Sequence, residues 1–529
     1  MEGGAYGILR QRLETQGQDL RKRLNQLNKA RKEVFGSIEA RLLSSERITT
    51  SNNCTPWDMV PVGPYLLFGY NVHMGLKAEL ALNDVFSVYR YEDHQFHDHG
   101  VQLIRHEQFE RDFQQLYTYY KETVFVRFAE IGPHLFMIFR VGKKVTDIKT
   151  FKWAIAGDSL RYLDNRSDHE YRFPDQHEFR WRQTRRDQHV AGKHPHVNIE
   201  DKVFVETIGG DLTIKVENNT DEGRGIYAEP VENADQTLAD ASISYAVIGN
   251  LIALKILPYK EEKHRYIIFN HKVQEARRID DLEHACVLLP DDHGVIFANG
   301  YYLQTGEFKL FENGLQDMLF ERKIVSPNGE DYLYVFYNRA RGLYLLLPYN
   351  IIRQSVDNPI ICHGYSIFEN GELIYFRGDD EPKKHHAVQI WQTPFVGPNF
   401  EVPTSADNYL SKIGNKEIVR AMAECMEILN LLGKDESYDS LYVDLIRRST
   451  DLADSYHWLN NEAAFAIGEP LSKIREASTA AVEEYEKVQR IRKNTRDRSD
   501  EIFAKADEIE KEVKRARATT INDYVQFLS

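Results

Sequence analysis

The stretch GVIFANGYYLQTGEFKLF occupies Gly294–Phe311. Brief apolar runs alternate in it with Asn299-Gly300 and Thr305-Gly306, pairs that supply the positive φ of tight hairpins. Such a pattern predicts antiparallel strands joined by short turns. A second copy follows His363-Gly364 as YSIFENGELIYF (Tyr365–Phe376), and a looser third is NLIALKILPYKEEKHRYIIFN after Gly249. Consecutive hairpin units of this kind need neighbours to cover their faces and edges.

The same texture extends from about residue 58 to 398. Pro64–Tyr70 (PYLLFGY), His134–Val141 (HLFMIFRV), Leu212–Val216 (LTIKV), Tyr332–Phe336 (YLYVF) and Ala387–Trp391 (AVQIW) read as strands. Lys215 between Ile214 and Val216 has the two-residue period of a half-buried strand, which places the lysine on the wet face. Gly209-Gly210, Asn328-Gly329 and Asn370-Gly371 supply further hairpin turns. Helical periodicity is confined to Phe109–Lys121 and a stretch near Asp235–Ala241, too little for the crossovers of a parallel α/β fold. The predicted fold is therefore mainly β with helical arms. Its central domain is β-propeller-like, with roughly six or seven blades, and a pair of β-sandwiches or another large sheet domain is the alternative.

Outside that region the period changes. Residues 5–47 read as one helix within an arm spanning 1–50. Leu13, Leu20, Leu27 and Val34 recur every seven residues, with Leu24 and Ile38 in the second seam. Gly17 and Arg31 interrupt that seam, and Ser51, Asn52, Asn53 and Pro56 end the pattern. A small helical region is expected over 405–468. From 471 to 529 a coiled-coil or long bundle helix is predicted on Ile474, Ala481, Val488, Ile502 and Ile509, with Tyr485, Ala506 and Val513 in the complementary seam. Arg492, Thr495 and Ser499 weaken its centre, and the sequence ends in QFLS without leaving helical periodicity, suggesting a truncated longer polypeptide. These apolar positions are the candidate helix-pairing residues, within the chain or between copies.

Composition narrows the function classes. Apolar residues make up 42% and charged residues 28%, values of a globular chain rather than a disordered one. Net charge is −14, but residues 1–47 hold ten Lys/Arg against six Asp/Glu and 471–517 hold thirteen against eleven. The acid is thus concentrated in the middle, where it opposes binding of a nucleic-acid backbone. Cys54, Cys286, Cys362 and Cys425 are far apart and form no CxxC pair, so inert reduced thiols are expected. The opening MEGGAYGILRQRLETQ lacks the apolar core of a signal peptide, and no run suits a transmembrane helix; a cytoplasmic location fits.

No phosphate loop is legible. Gly192-Lys193 is followed by His194 where a hydroxyl residue should stand, and Gly209-Gly210-Asp211 leads into a strand rather than a helix. GxSxG and HExxH are absent, with His106-Glu107 leading only to Glu110. His97 and His99, with His94, Asp93 and Asp98, make a metal-dependent hydrolase a minor alternative; an exposed turn explains them more simply. His177, His189, His194 and His196 lack regular spacing, and His385-His386 reads as a loop. Asp280-Asp281, Asp291-Asp292 and Asp379-Asp380-Glu381 read as turns rather than a catalytic pair. No catalytic, metal or cofactor residue is therefore assigned. The strongest basic patch is Arg180, Trp181, Arg182, Arg185 and Arg186. Its arginines suit phosphates or an acidic protein surface, and the indole could stack on a base, although a solvated strand face shows the same alternation.

Two phrases carry a family resemblance: PHVNIEDKVFVETIGGDLTIKVENNTDEGRGIYAEPV (Pro195–Val231) and LLPDDHGVIFANGYYLQTGEFKLF (Leu288–Phe311). With the helical arms, the chain resembles the amino-terminal region of large bacterial AAA-type ATPases known as DNA-repair ATPases. The resemblance implies a longer protein whose motor, with its ATP and Mg, lies in a downstream module outside these residues. The expected role is then a non-catalytic regulatory or partner-recognition scaffold, meeting a protein client or further copies through its helical arms. A nucleic-acid-binding module contacting DNA through Arg180–Arg186 is the alternative.

Overall fold

The computed structural model describes residues 4–72, 80–378, 381–400, 408–434 and 440–515. It divides into two compact units, one built on residues 28–427 and the other on the chain before residue 28 and after 427. No helix among the described residues is long and apolar enough to cross a membrane.

The first unit is a succession of antiparallel sheets. Val124–Ile131, His134–Arg140, Ile148–Ala156 and Ser159–Asp164 form one meander. His189–Val190, His196–Ile199, Val203–Glu206, Asp211–Lys215 and Tyr227–Pro230 form the next. The third comprises Ser242–Ile248, Leu251–Leu257, Arg265–Asn270 and Glu275–Arg278, with the earlier strand Arg182–Gln183 added at its edge. Val287–Leu288, Gly294–Phe297, Gly300–Leu303 and Phe308–Leu310 make the fourth. The fifth is built from Leu319–Val325, Asp331–Asn338 and Leu343–Asn350, with Ser355–Val356 and Ile360–Cys362 both on the last of these. Most strands pair with their sequence neighbours, as the dense hairpin turns dictate.

A seven-stranded sheet joins the two ends of this region. Its central strand, Arg41–Val62, pairs over Arg41–Thr49 with Lys383–Gln392 and over Cys54–Val62 with Tyr65–Val72. Gly364–Ile367 and Glu372–Phe376 complete one side, Phe86–Glu92 and Gln95–Asp98 the other. Aromatic side chains fill the spaces between sheets; Phe86 alone meets the rings of Phe113, Phe125, Phe128 and Phe139. The helix predicted on Phe109–Lys121 is present as Glu107–Tyr119 and buries Phe109, Phe113 and Leu116.

Several expectations are corrected. The first helix ends at Phe35 rather than near residue 47. Gly36 takes φ 72°, a left-handed conformation that ends helices. The chain then runs extended through Ser51, Asn52, Asn53 and Pro56, its Arg41–Thr49 part held by a strand that comes more than three hundred residues later, which local propensity does not register. Ile38 lies beyond the helix. Asp235–Ala241 contains turns and no helix. Gly300 has no positive φ; it lies in a strand so close to its neighbour that a Cβ would stand 2.1 Å from the Lys309 carbonyl oxygen. Asp379 and Asp380 lie outside the described residues.

The second unit is helical. Tyr6 hydrogen-bonds Tyr442 through their hydroxyls (2.8 Å) and packs its ring against Tyr485. Leu13, Leu20, Leu24 and Leu27 are buried, and Gly17 lets a methyl of Leu432 approach to 3.1 Å of where its Cβ would be. Arg23 donates to the carbonyls of Phe465 (3.2 Å) and Ala466 (2.9 Å), two residues of positive φ, and pairs with Glu469 at 2.9 Å. From Gly468–Arg515 runs a single helix, which buries Ile474, Ala481, Tyr485 and Val488. The Val513 side chain lies outside the described residues.

Arg31 and Val34, in the sheet-bearing unit, are buried as well. Arg31 pairs with Glu330 and donates to Asn415 (3.0 Å) and Asn28 (2.8 Å). The arginine that breaks the apolar seam thus fills a built polar site.

Candidate interaction site

The basic segment lies where one sheet gives way to the next. Arg182–Gln183 pairs with Ser244 and Tyr245 at the edge of the third sheet, and His189–Val190 begins the edge of the second. Thr184 anchors the segment, its backbone N–H and its hydroxyl each donating to the Ile243 carbonyl at 3.0 Å. Gln188 folds back to accept from the Arg185 N–H at 2.8 Å.

Within this frame the charges face outward and the ring faces inward. Arg180, Arg182, Arg185 and Arg186 are all exposed. Arg182 has one distant carboxylate, Glu200 at 3.8 Å, and the other three make no ion pair with a described residue. Trp181 is half-buried, edge-on to Phe179 (5.3 Å between centroids) and near Tyr266 (6.0 Å), against the core of the third and fourth sheets. The indole is therefore committed to packing and does not interleave with the arginines. Exposed arginines on an edge strand also hinder pairing with another sheet.

Arg180 borders an open recess of about 610 Å³, shared with His177, Glu178, Leu289, Phe320 and Lys323. Glu178 accepts the Leu288 N–H (2.8 Å) and lies 3.7 Å from Lys323. His177 donates to the Leu282 carbonyl (2.8 Å), and burial lowers its pKa. The recess is thus lined by both charged and apolar side chains.

The histidine groups disperse. His94 bonds Glu372 (3.2 Å), His99 lies against the Tyr65 ring, and His97 is in the short strand opposite Arg90. His196 bonds Asn218 at 2.9 Å, and His385 bonds Thr49 at 3.0 Å. Among the described residues no three His, Cys, Asp or Glu side chains are grouped so as to hold a metal ion. All four cysteines are buried, and burial raises the pKa of each.

Two buried charged groups were not legible in the sequence. Lys215, expected on a wet face, is buried with Glu206 (2.9 Å), which also accepts from His194 (3.0 Å). The ammonium donates further to the Asn219 carbonyl at 3.2 Å, so the loop after the strand satisfies a charge that alternation places outside. The second group stands at three β-bulges, which re-aim side chains. Register shifts at Pro56/Asp58, Phe125/Arg127 and Phe320/Arg322 accompany Asp58, Arg127 and Glu321. Arg127 pairs with Glu321 and lies 4.2 Å from the Tyr337 ring centroid. Asp58 accepts from the Phe128 N–H (2.8 Å), the Met59 N–H (2.9 Å) and the Tyr344 hydroxyl (2.9 Å). Burial pushes its carboxyl up to about 7, against the pull of Arg127. The only sequence signal was a charged residue inside an apolar run, which does not distinguish a bulge from a wet face.

A family model described as "ATPase involved in DNA repair" matches residues 19–457. It spans the sheets and most of the described helices, so the expectation that the ATPase-related part lies wholly beyond this chain is overturned. Sequence motifs alone could not reveal this, because no phosphate-loop pattern marks the region. No curated protein matches the sequence. Among solved structures, the AfRom2 CNH domain is 9% identical over 66% of this chain and 98% of its own, with TM-score 0.23. The Dos1 propeller is 9% identical over 66% and 94%, with TM-score 0.20. The S. cerevisiae core factor is 8% identical over 81% and 76%, with TM-score 0.21. Likenesses this slight carry no argument about the fold.

Proposed function

From the premise that this chain belongs to the family described as ATPases involved in DNA repair, we propose that its sheet-bearing unit recognises an acidic partner protein for that family's work. The contact is the exposed face of Arg180, Arg182, Arg185 and Arg186, with the neighbouring recess receiving a side chain of the partner. One observation carries the reading: four guanidinium groups point outward while Trp181 is packed beneath them. Single-stranded nucleic acid is gripped by charge together with rings that stack on bases. Here only charge is offered, on a chain of net charge −14 that repels a polyanion at longer range. Carboxylates on a protein surface suit the planar guanidinium fork without needing a stacked base.

The architecture we assign to this unit is a radial array of seven antiparallel blades of four or five strands. The two halves of Arg41–Val62 belong to the first and last blades, so that the amino-terminal strand closes the ring. Such an array would hold the Arg180–Arg186 segment as a rigid connection between consecutive blades.

The test is proximity capture with the full-length protein in cells, recovering proteins and nucleic acids together, for wild type and the Arg182→Glu, Arg185→Glu, Arg186→Glu triple variant. The variant is expected to lose a protein partner that rebinds purified wild-type protein in a salt-sensitive manner. Retention of every protein partner, or loss of nucleic acid alone, would overturn the proposal.

A further inference from the structure

The long helix Gly468–Arg515 has two halves of opposite character. Along the first, Ile474, Ser478, Ala481, Tyr485 and Val488 form a stripe at alternating spacings of three and four, and all are buried within the helical unit. Tyr485 meets Tyr6 and Tyr442 there. The same spacing continues through Arg492, Thr495, Ser499, Ile502, Ala506 and Ile509. In this second half the described apolar side chains are exposed. Ile502 is 65% exposed, Phe503 68% and Ile509 58%. An apolar stripe that is part of an internal interface at one end and bare at the other is a helix-pairing surface.

We propose that a second copy of this chain covers it, with the two helices parallel and in register. Ile502 then faces Ile502 of the second copy, and Ile509 faces Ile509, each pair packing in the seam. The flanking charges select this orientation. In a parallel pair each g position meets the e position five residues onward on the other helix, and e and g residues set partner and direction. Lys505 thereby meets Glu510, twice across the two-fold axis, and Arg498 meets the ring of Phe503. In an antiparallel pair g faces g, which would set Lys505 against Arg498 and lose both attractive contacts. The polar positions Arg492, Thr495 and Ser499 leave the association modest in strength, centred on the apolar turns beyond them.

The test uses the full chain. Sedimentation at micromolar concentration is expected to give twice the monomer mass, falling twofold in the Ile502→Asp, Ile509→Asp variant. Both positions are more than half exposed, so the fold does not depend on them. Lys505→Glu alone is expected to weaken association and Lys505→Glu with Glu510→Lys to restore it. Ile509→Cys should form a covalent dimer under a mild added oxidant, because seam positions in a parallel pair bring Cα atoms within disulfide reach. The four native cysteines are buried and leave a low background. A wild-type chain that remains monomeric, a charge exchange that fails to restore pairing, or no cross-link at residue 509 would overturn the proposal.

Discussion

Replacing Glu321 by Gln tests whether the three bulges exist to seat a charge. Arg127 and Glu321 are ion-paired with side-chain exposures of 3% and 16%. The amide keeps the shape and removes the counter-charge. Stranding one member of a buried pair costs about 3–5 kcal/mol. One feature favours the lower end: the guanidinium keeps its place over Tyr337, at 4.2 Å, and Tyr344, at 5.2 Å. Such desolvated cation–π contacts contribute up to about 2 kcal/mol. The expected loss for Glu321→Gln is therefore about 3 kcal/mol. Arg127→Met should be costly too, but the double variant strands no charge at this pair. It should be at least about 2 kcal/mol more stable than the sum of the single losses predicts. Urea unfolding is the suitable assay because the denaturant carries no charge, with free energies compared at a common m value. A Glu321→Gln loss below about 0.5 kcal/mol, or simple additivity in the double variant, would refute the reasoning.

Two further outcomes follow from the same unit. The Asp58 carboxyl is raised from an ordinary value of 3.8 to about 7, so the fold favours its protonated form and stability falls as pH rises from about 4 to 7. Its contribution to the slope is at most about 1.4 kcal/mol per pH unit, and Asp58→Asn should flatten that part of the profile in denaturation midpoints measured across the range; an unchanged slope would show that Asp58 stays ionised throughout. Gly294 has φ 146°, and a Cβ there would stand 2.1 Å from the Tyr302 carbonyl oxygen. Gly294→Ala should cost about 2–4 kcal/mol, against about 1 kcal/mol for Gly132→Ala, whose φ is 59° and whose Cβ would meet nothing within 4 Å. Equal midpoint shifts in the two variants would discount the backbone contact.

The hairpin segments were legible because alternation and Gly-containing turns act over a few residues. VIFA, YSIF, LIYF and YLYVF all fall on strands or their edges. The short helix near Phe109 was found for the same reason. The first helix was overrun and the Arg41–Thr49 part of the following strand missed because that part is stabilised by a partner more than three hundred residues away. The basic segment was legible as charge, whereas the inward packing of Trp181 depends on Phe179 and Tyr266, which meet it only once the sheets assemble.

The sequence by itself determined that the middle of this protein is antiparallel sheet and its ends are helical, since periodicity and turn chemistry are local properties of the chain. Tertiary structure alone decided which charges are buried. Lys215, Arg31 and Arg127 each sit in the interior because a carboxylate from a separate strand or turn arrives there to meet them. No local pattern encodes that arrival. Desolvating a charge becomes tolerable only when its partner and hydrogen bonds are already in place, and those are supplied by the fold.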